Sequence, residues 1–188
     1  MRSLTKSYVR VGRTTIGCGA FAPLAASSAV VSQAGTTILA ALAVDKSSSG
    51  GNFSVDYRVR AHAEGRVPQA SQRREPRSPT EAETVAARAI DRAVRPMFSK
   101  GAGFEAALTV TVHSLGPSAD DPVSLAVNAA SLALLLGHDS WEGPVGCVSI
   151  AAGGWLCAGG PLEAGPRTPD LLADLQWICS TRPARTTW

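Results

Sequence analysis

Residues Arg73–Pro96 read RREPRSPTEAETVAARAIDRAVRP: an arginine-rich loop, then a helix, then a proline stop. Ser78 is the expected N-cap. Pro79 then takes the first helical position, where a missing N–H costs nothing, and Glu81 completes a capping box. Glu81, Ala82, Glu83, Ala86, Ala87 and Ala89 have high helix propensity, and Pro96 disfavours helical geometry at Arg95. Helical spacing predicts one broad apolar side made of Val85, Ala89, Ile90, Ala93 and Met97. Arg88, Arg92 and Arg95 form a narrow stripe along its edge.

That stripe is unfavourable in isolation, because like charges at i,i+4 cost roughly 0.2–0.5 kcal/mol per pair. Asp91 can reach Arg88 and Arg95, but no acid sits four residues either side of Arg92. A guanidinium offers a fixed fork of donors that suits phosphate. Two readings stay open on the residues alone: a helix edge facing a polyanion, or a solvated face whose arginine stems cover apolar surface.

Working outward, 188 residues are enough for one domain that buries its own core. The expected organisation is a basic leader over 1–7, one domain over 8–181, and a tail over 182–188. Hydrophobic content of 45% against 18% charged residues describes a globular chain and excludes a disordered one. Cys18, Cys147, Cys157 and Cys179 stand far apart without metal spacing, so they read as buried thiols; no metal site or cofactor is expected. No apolar run is long enough to span a bilayer, and no membrane partner is expected.

Net charge is +3 but unevenly placed. Nine of the 15 arginines fall between Arg58 and Arg95, a basic centre that predicts a localised anion-facing surface. The first acid is Asp45, and Arg2, Lys6, Arg10 and Arg13 lie before it among serine, threonine and alanine. Such a start resembles an organelle transit peptide, and mitochondrial residence is the expectation. Most of that region nevertheless reads as sheet. Tyr8–Cys18 makes two strands joined at Gly12–Arg13, and Ala29–Val44 a hairpin turning at Ala34–Gly35.

Phe53–Arg60 alternates strictly, with Phe53, Val55, Tyr57 and Val59 on one face and arginines outward on the other. Ala61–Arg77 is a long polar loop. Leu108–Leu115 is a further strand with His113 on its polar side, expected to be an ordinary surface or hydrogen-bonded histidine. Asp121 caps a second helix, Pro122 is first inside it, and Val123–Leu136 is apolar enough to be buried on most sides before Gly137 ends it. Asn128 inside it needs a partner. Pro144–Ala151 and Trp155–Ala158 read as a hairpin, and Leu175–Cys179 as a last strand.

These residues carry a resemblance to the first ribonuclease PH-like core of the polynucleotide phosphorylase family. The motifs, in order, are Val55-Asp56-Tyr57, Gly65-Arg66-Val67-Pro68, Arg73-Arg74-Glu75, Ala87-Arg88, Ile90-Asp91-Arg92 and Val94-Arg95-Pro96. Asp121-Pro122, Asn128-Ala129-Ala130-Ser131 and Gly143-Pro144-Val145-Gly146 follow. The resemblance implies an α+β ribonuclease PH-like fold (ribosomal-protein domain 2-like), a mixed sheet with flanking helices, here without its C-terminal closing helices. It also implies rings that thread single-stranded RNA and cleave its 3′ end with phosphate, helped by a divalent metal. By the same resemblance Arg73 and Arg74 contact RNA at a constriction, and Arg88, Arg92 and Arg95 lie toward RNA. The anion-facing reading of the stripe thereby becomes the preferred one.

The departures point away from catalysis. Two stacking aromatics of the family are Ser71 and Gln72 here. Pro122 and Val123 stand where single-core relatives place a phosphate-binding arginine. Of their two metal-binding aspartates six apart, Asp174 matches one, and Thr168 occupies the place of the other. The expected function is a non-catalytic, RNA-binding structural or interaction subunit of a larger ribonucleoprotein, a mitochondrial ribosome or an RNA-processing complex. Its partners would be the RNA backbone and other protein subunits. The alternative is one half of a split phosphorolytic 3′–5′ exoribonuclease whose catalytic core is a separate chain.

Overall fold

The computed structural model describes residues 7–45, 52–65, 79–98, 105–116, 122–137, 141–151, 155–157 and 176–180. Two antiparallel hairpins open the chain: β1 (Ser7–Val11) with β2 (Thr14–Cys18), and β3 (Ser27–Gln33) with β4 (Thr36–Asp45). The second turns at Ala34 and Gly35, both left-handed (φ 48° and 85°), which matches the right-handed strand twist that two-residue hairpins require. β5 (Phe53–Val59) and β6 (Glu105–Ser114) pair in parallel, so the chain between them must cross over, and α1 (Glu81–Val94) lies within that crossover. The six strands run β1-β2-β3-β4-β6-β5, which leaves β5 at an edge.

Alternation supplies the core. Val31, Ile38, Ala40, Leu42, Leu108, Val110 and Val112 are buried in the sheet, with Phe53 and Tyr57 from β5. α1 packs on β5, while α2 (Pro122–Gly137) packs on β3 and β4 and touches α1. Pro122 opens α2 and Gly137 closes it, as the sequence predicts. A side chain at Gly137 would collide with the Ser27 side chain, so the end of this helix approaches β3 as only glycine can.

A second sheet, β8-β7-β9, comprises β7 (Gly146–Ala151), β8 (Trp155–Cys157) and β9 (Gln176–Ser180), all antiparallel. Asn128 joins α2 to it. Its amide donates to the Cys147 carbonyl at 3.0 Å and accepts the Cys147 N–H at 2.8 Å, the partner expected for a polar residue half-buried in an apolar helix. Ser131 Oγ accepts the Val145 N–H at 2.9 Å beside it.

Three expectations need correction. The N-cap of α1 is Thr80, whose hydroxyl accepts the Glu83 N–H, so the capping box is Thr80/Glu83 and Pro79 precedes the helix. Ser78 lies outside the described residues. Val85 is 61% exposed, and the face that α1 buries is Glu83, Ala86, Ile90 and Val94. Ile90 of the expected side is buried and Ala93 and Met97 pack partly against the core, so the buried face is turned away from the Val85 edge only, and an alanine-rich helix marks that boundary weakly. Cys147 is buried but Cys18 is only half-buried.

Candidate nucleic-acid interface

Glu83 is the charged residue on the buried face of α1, whereas Arg88 and Arg92, and Arg95 just past its end, are exposed. They are not equivalent. Arg95 grips Asp91 with Nη2–Oδ1 at 2.7 Å and with Nε 3.0 and 3.1 Å from the two carboxylate oxygens. The same Nη2 donates to the Phe53 carbonyl at 3.0 Å, and the guanidinium lies 5.6 Å from the centre of the Phe53 ring. Arg95 is therefore a structural tie between the end of α1 and the start of β5. Arg88 and Arg92 form no ion pair or hydrogen bond through their side chains among the described residues.

At the other end of α1, Glu83 does the corresponding work. It is only 8% exposed. Oε1 accepts the Val59 N–H at 2.9 Å, while Oε2 accepts the Thr80 N–H at 2.7 Å and the Thr80 hydroxyl at 2.8 Å. Burial pushes this carboxyl up, but the hydrogen bonds from Thr80 and Val59, with the Arg58 charge, outweigh it and hold the group below its ordinary value. The sequence carries a signal for this residue: Thr80-x-x-Glu83 is itself a capping-box pattern, overlapping Ser78-x-x-Glu81. Nothing in the pattern shows that the same carboxylate also closes a sheet edge.

Between α1 and β5 lies a cleft of about 240 Å³ lined by Asp56, Tyr57, Glu83, Thr84, Arg88 and Asp91. Asp56 pairs with Arg58 at 3.0 Å. Three carboxylates make this cleft a poor seat for phosphate, so a polyanion would meet the outward ends of Arg88 and Arg92 instead. Arg73 and Arg74 lie outside the described residues, as do Ser71, Gln72, Thr168 and Asp174. By the resemblance, Thr168 stands where one aspartate of the divalent-metal pair would be, and a threonine hydroxyl is a poor substitute for a carboxylate ligand.

An antiparallel sheet carrying a parallel βαβ edge, with the crossover helix turning unpaired arginines to solvent, defines a ribonuclease PH-like α+β domain. Residues 6–137 match the 3′ exoribonuclease family, domain 1, and the chain belongs to that family. It is 41% identical over 130 residues to a polyribonucleotide nucleotidyltransferase of Rhodopseudomonas palustris (strain TIE-1), covering 66% of this chain and 18% of that protein. Against the mitochondrial polyribonucleotide nucleotidyltransferase 2 of Arabidopsis thaliana it is 36% identical over 135 residues, covering 70% and 13%. The chain therefore spans less than a fifth of either relative, and what it shares with them is a ribonuclease PH-like core domain. In fold it is similar to a chain of the Archaeoglobus fulgidus exosome solved with RNA bound to the active site (TM-score 0.53, 15% identity, 80% of this chain and 65% of that one).

Proposed function

We propose that this chain is an RNA-binding ribonuclease PH-like module that cleaves no RNA by itself and serves as an interaction subunit of a larger ribonucleoprotein. The observation that carries the reading is the pair Arg88 and Arg92, held on one helix, exposed, and without an ion-pair or hydrogen-bond partner for their side chains among the described residues. Phosphate oxygens are the partners that such guanidinium groups suit best. Support for the non-catalytic part comes from the resemblance, by which Pro122, Val123 and Thr168 stand in the places of a phosphate-binding arginine and one metal-binding aspartate. Phosphorolysis needs a phosphate clamp and metal-stabilised charge in one site. A mitochondrial setting is supported by the basic N-terminal composition and by a mitochondrial relative among those matched.

A second reading has its own support. Both relatives named above are polyribonucleotide nucleotidyltransferases, so the chain could supply the first core of a split phosphorolytic exoribonuclease whose catalytic core is another polypeptide. One assay separates the two. End-labelled RNA is incubated with phosphate and magnesium, with the purified chain alone and with the chain recovered from cells with its partners. The first reading expects retention of RNA without nucleoside diphosphates in both arms. Diphosphate release only with partners supports the split enzyme, and release by the chain alone overturns both readings.

A further inference from the structure

Arg60, His62 and His113 meet at the corner where β5 ends. Parallel pairing sets Val59 beside Val112, and the Arg60 N–H donates to the Val112 carbonyl at 3.3 Å. The chain then makes a single tight turn, Ala61–Glu64, closed by Gly65 in the left-handed conformation (φ 67°) with its N–H on the His62 carbonyl at 3.1 Å. The Leu115 N–H donates to the Ala63 carbonyl at 3.2 Å, fastening that turn back onto the end of β6. The backbone thus holds His62 across from His113, with ring centres 5.9 Å apart and planes 34° from parallel. Arg60, His62 and His113 are exposed.

This is a cluster of one sign. None of the three side chains makes an ion pair or a hydrogen bond among the described residues. Burial, then the His62 ring, then the Arg60 charge hold the His113 imidazole below its ordinary value. The facing stretch of β4, Thr36 and Thr37, carries no charge. Glu83 of α1 is committed to Val59 and Thr80. Glu64 belongs to the same turn, and its side chain lies outside the described residues. Among the described residues these three basic groups have no counter-ion, so once the imidazoles are protonated the groups repel one another, and a bound anion would reduce that cost.

We infer that Arg60, His62 and His113 form a phosphate-binding site distinct from the arginines of α1, taking either a phosphodiester of RNA or free phosphate. The RNA source rests on the function proposed above, whereas the phosphate chemistry does not. The guanidinium supplies a permanent charge and a donor fork, and each imidazole supplies an N–H that becomes a charged donor on protonation. Binding therefore strengthens as pH falls through the histidine range.

The test follows the histidine Cε1–H signals of the full chain through a pH titration at constant ionic strength, in chloride, in inorganic phosphate, and with a short oligoribonucleotide. His62→Gln and His113→Gln assign the signals among only three histidines. Phosphate or oligoribonucleotide is expected to raise the His113 midpoint by about half a unit or more, saturably, and Arg60→Gln is expected to abolish the rise while leaving the amide spectrum folded. A rise in both arms, or in one alone, names the source. Midpoints identical in all three solutions overturn the site, and so does a rise that survives Arg60→Gln. RNA binding with unmoved histidines sinks this inference but spares the α1 reading, whereas a phosphate response without RNA binding does the reverse.

Discussion

Glu83 accepts the backbone N–H of Val59 at 2.9 Å, so a side chain from the first turn of α1 completes the hydrogen bonding of an edge strand. Arg95 answers from just past the end of the helix by donating to the Phe53 carbonyl at 3.0 Å. Residues with backbone groups on the outer edge of β5 are thereby engaged at both ends of the strand. An open edge invites pairing with other chains, and covering it with a helix is one of the ways proteins prevent that. Here the covering helix also carries the proposed RNA-facing arginines, so sheet closure and interface share one element.

Replacing Glu83 by Gln should cost about 1–3 kcal/mol, because one charged acceptor serving three donors is lost at a site with little access to water. It should also change the pH dependence of stability. The folded-state carboxyl titrates below its ordinary value, so the unfolded state binds the proton more readily. Its contribution is complete above about pH 5 and is lost as pH falls through the folded value. Urea melts across the acid range should show a shallower acid loss for Glu83→Gln than for the natural chain. Parallel acid limbs would show that Glu83 stabilises no charge.

Asn128→Ala should destabilise by about 1–3 kcal/mol, since it removes the bonds to both the N–H and the carbonyl of Cys147 in a part-buried setting. Because those two bonds join α2 to β7, the loss should concentrate in the second sheet. Amide exchange is the measurement. Faster exchange across Gly146–Ala151 with β3 and β4 unchanged is expected, and uniform acceleration would mean that the two sheets unfold as one.

Strict alternation made the large sheet legible in the sequence. Phe53 to Val59 and Leu108 to Ser114 face the core every second residue, and Ala34–Gly35 is a turn pair with few alternatives. α1 was legible as a helix but not in its start or its buried face. Ser78-x-x-Glu81 and Thr80-x-x-Glu83 are both good capping patterns, and the choice was made by Val59, whose N–H needed an acceptor 24 residues away. That is a tertiary demand, invisible to local pattern. The arginine stripe was visible as three equal charges, and only the position of Phe53 shows that Arg95 is spoken for.

Arg95→Gln should therefore act on stability more than on RNA. It removes the pair to Asp91, the bond to the Phe53 carbonyl and the contact with the Phe53 ring. A loss of about 0.5–1.5 kcal/mol is expected, from an exposed ion pair and one part-buried hydrogen bond to the Phe53 carbonyl, with an unfolding midpoint that falls accordingly. Asp91→Asn should give a smaller loss and partly mask the Arg95 effect in the double variant. Strict additivity of the two changes would contradict the geometry described for the pair.

Arg88→Gln and Arg92→Gln should do the opposite. Neither side chain holds the fold together, so melting should shift by no more than about 0.5 kcal/mol for either change. Each lost phosphate contact on single-stranded RNA should reduce the slope of log affinity against log salt by about 0.7, so the double variant should be shallower by roughly 1.4. Binding to a fluorescent oligoribonucleotide over a range of potassium chloride measures this directly. A double variant that weakens binding with an unchanged slope would mean that the arginines shape the surface without touching phosphate. A double variant that binds as tightly as the natural chain would move the interface off α1 altogether.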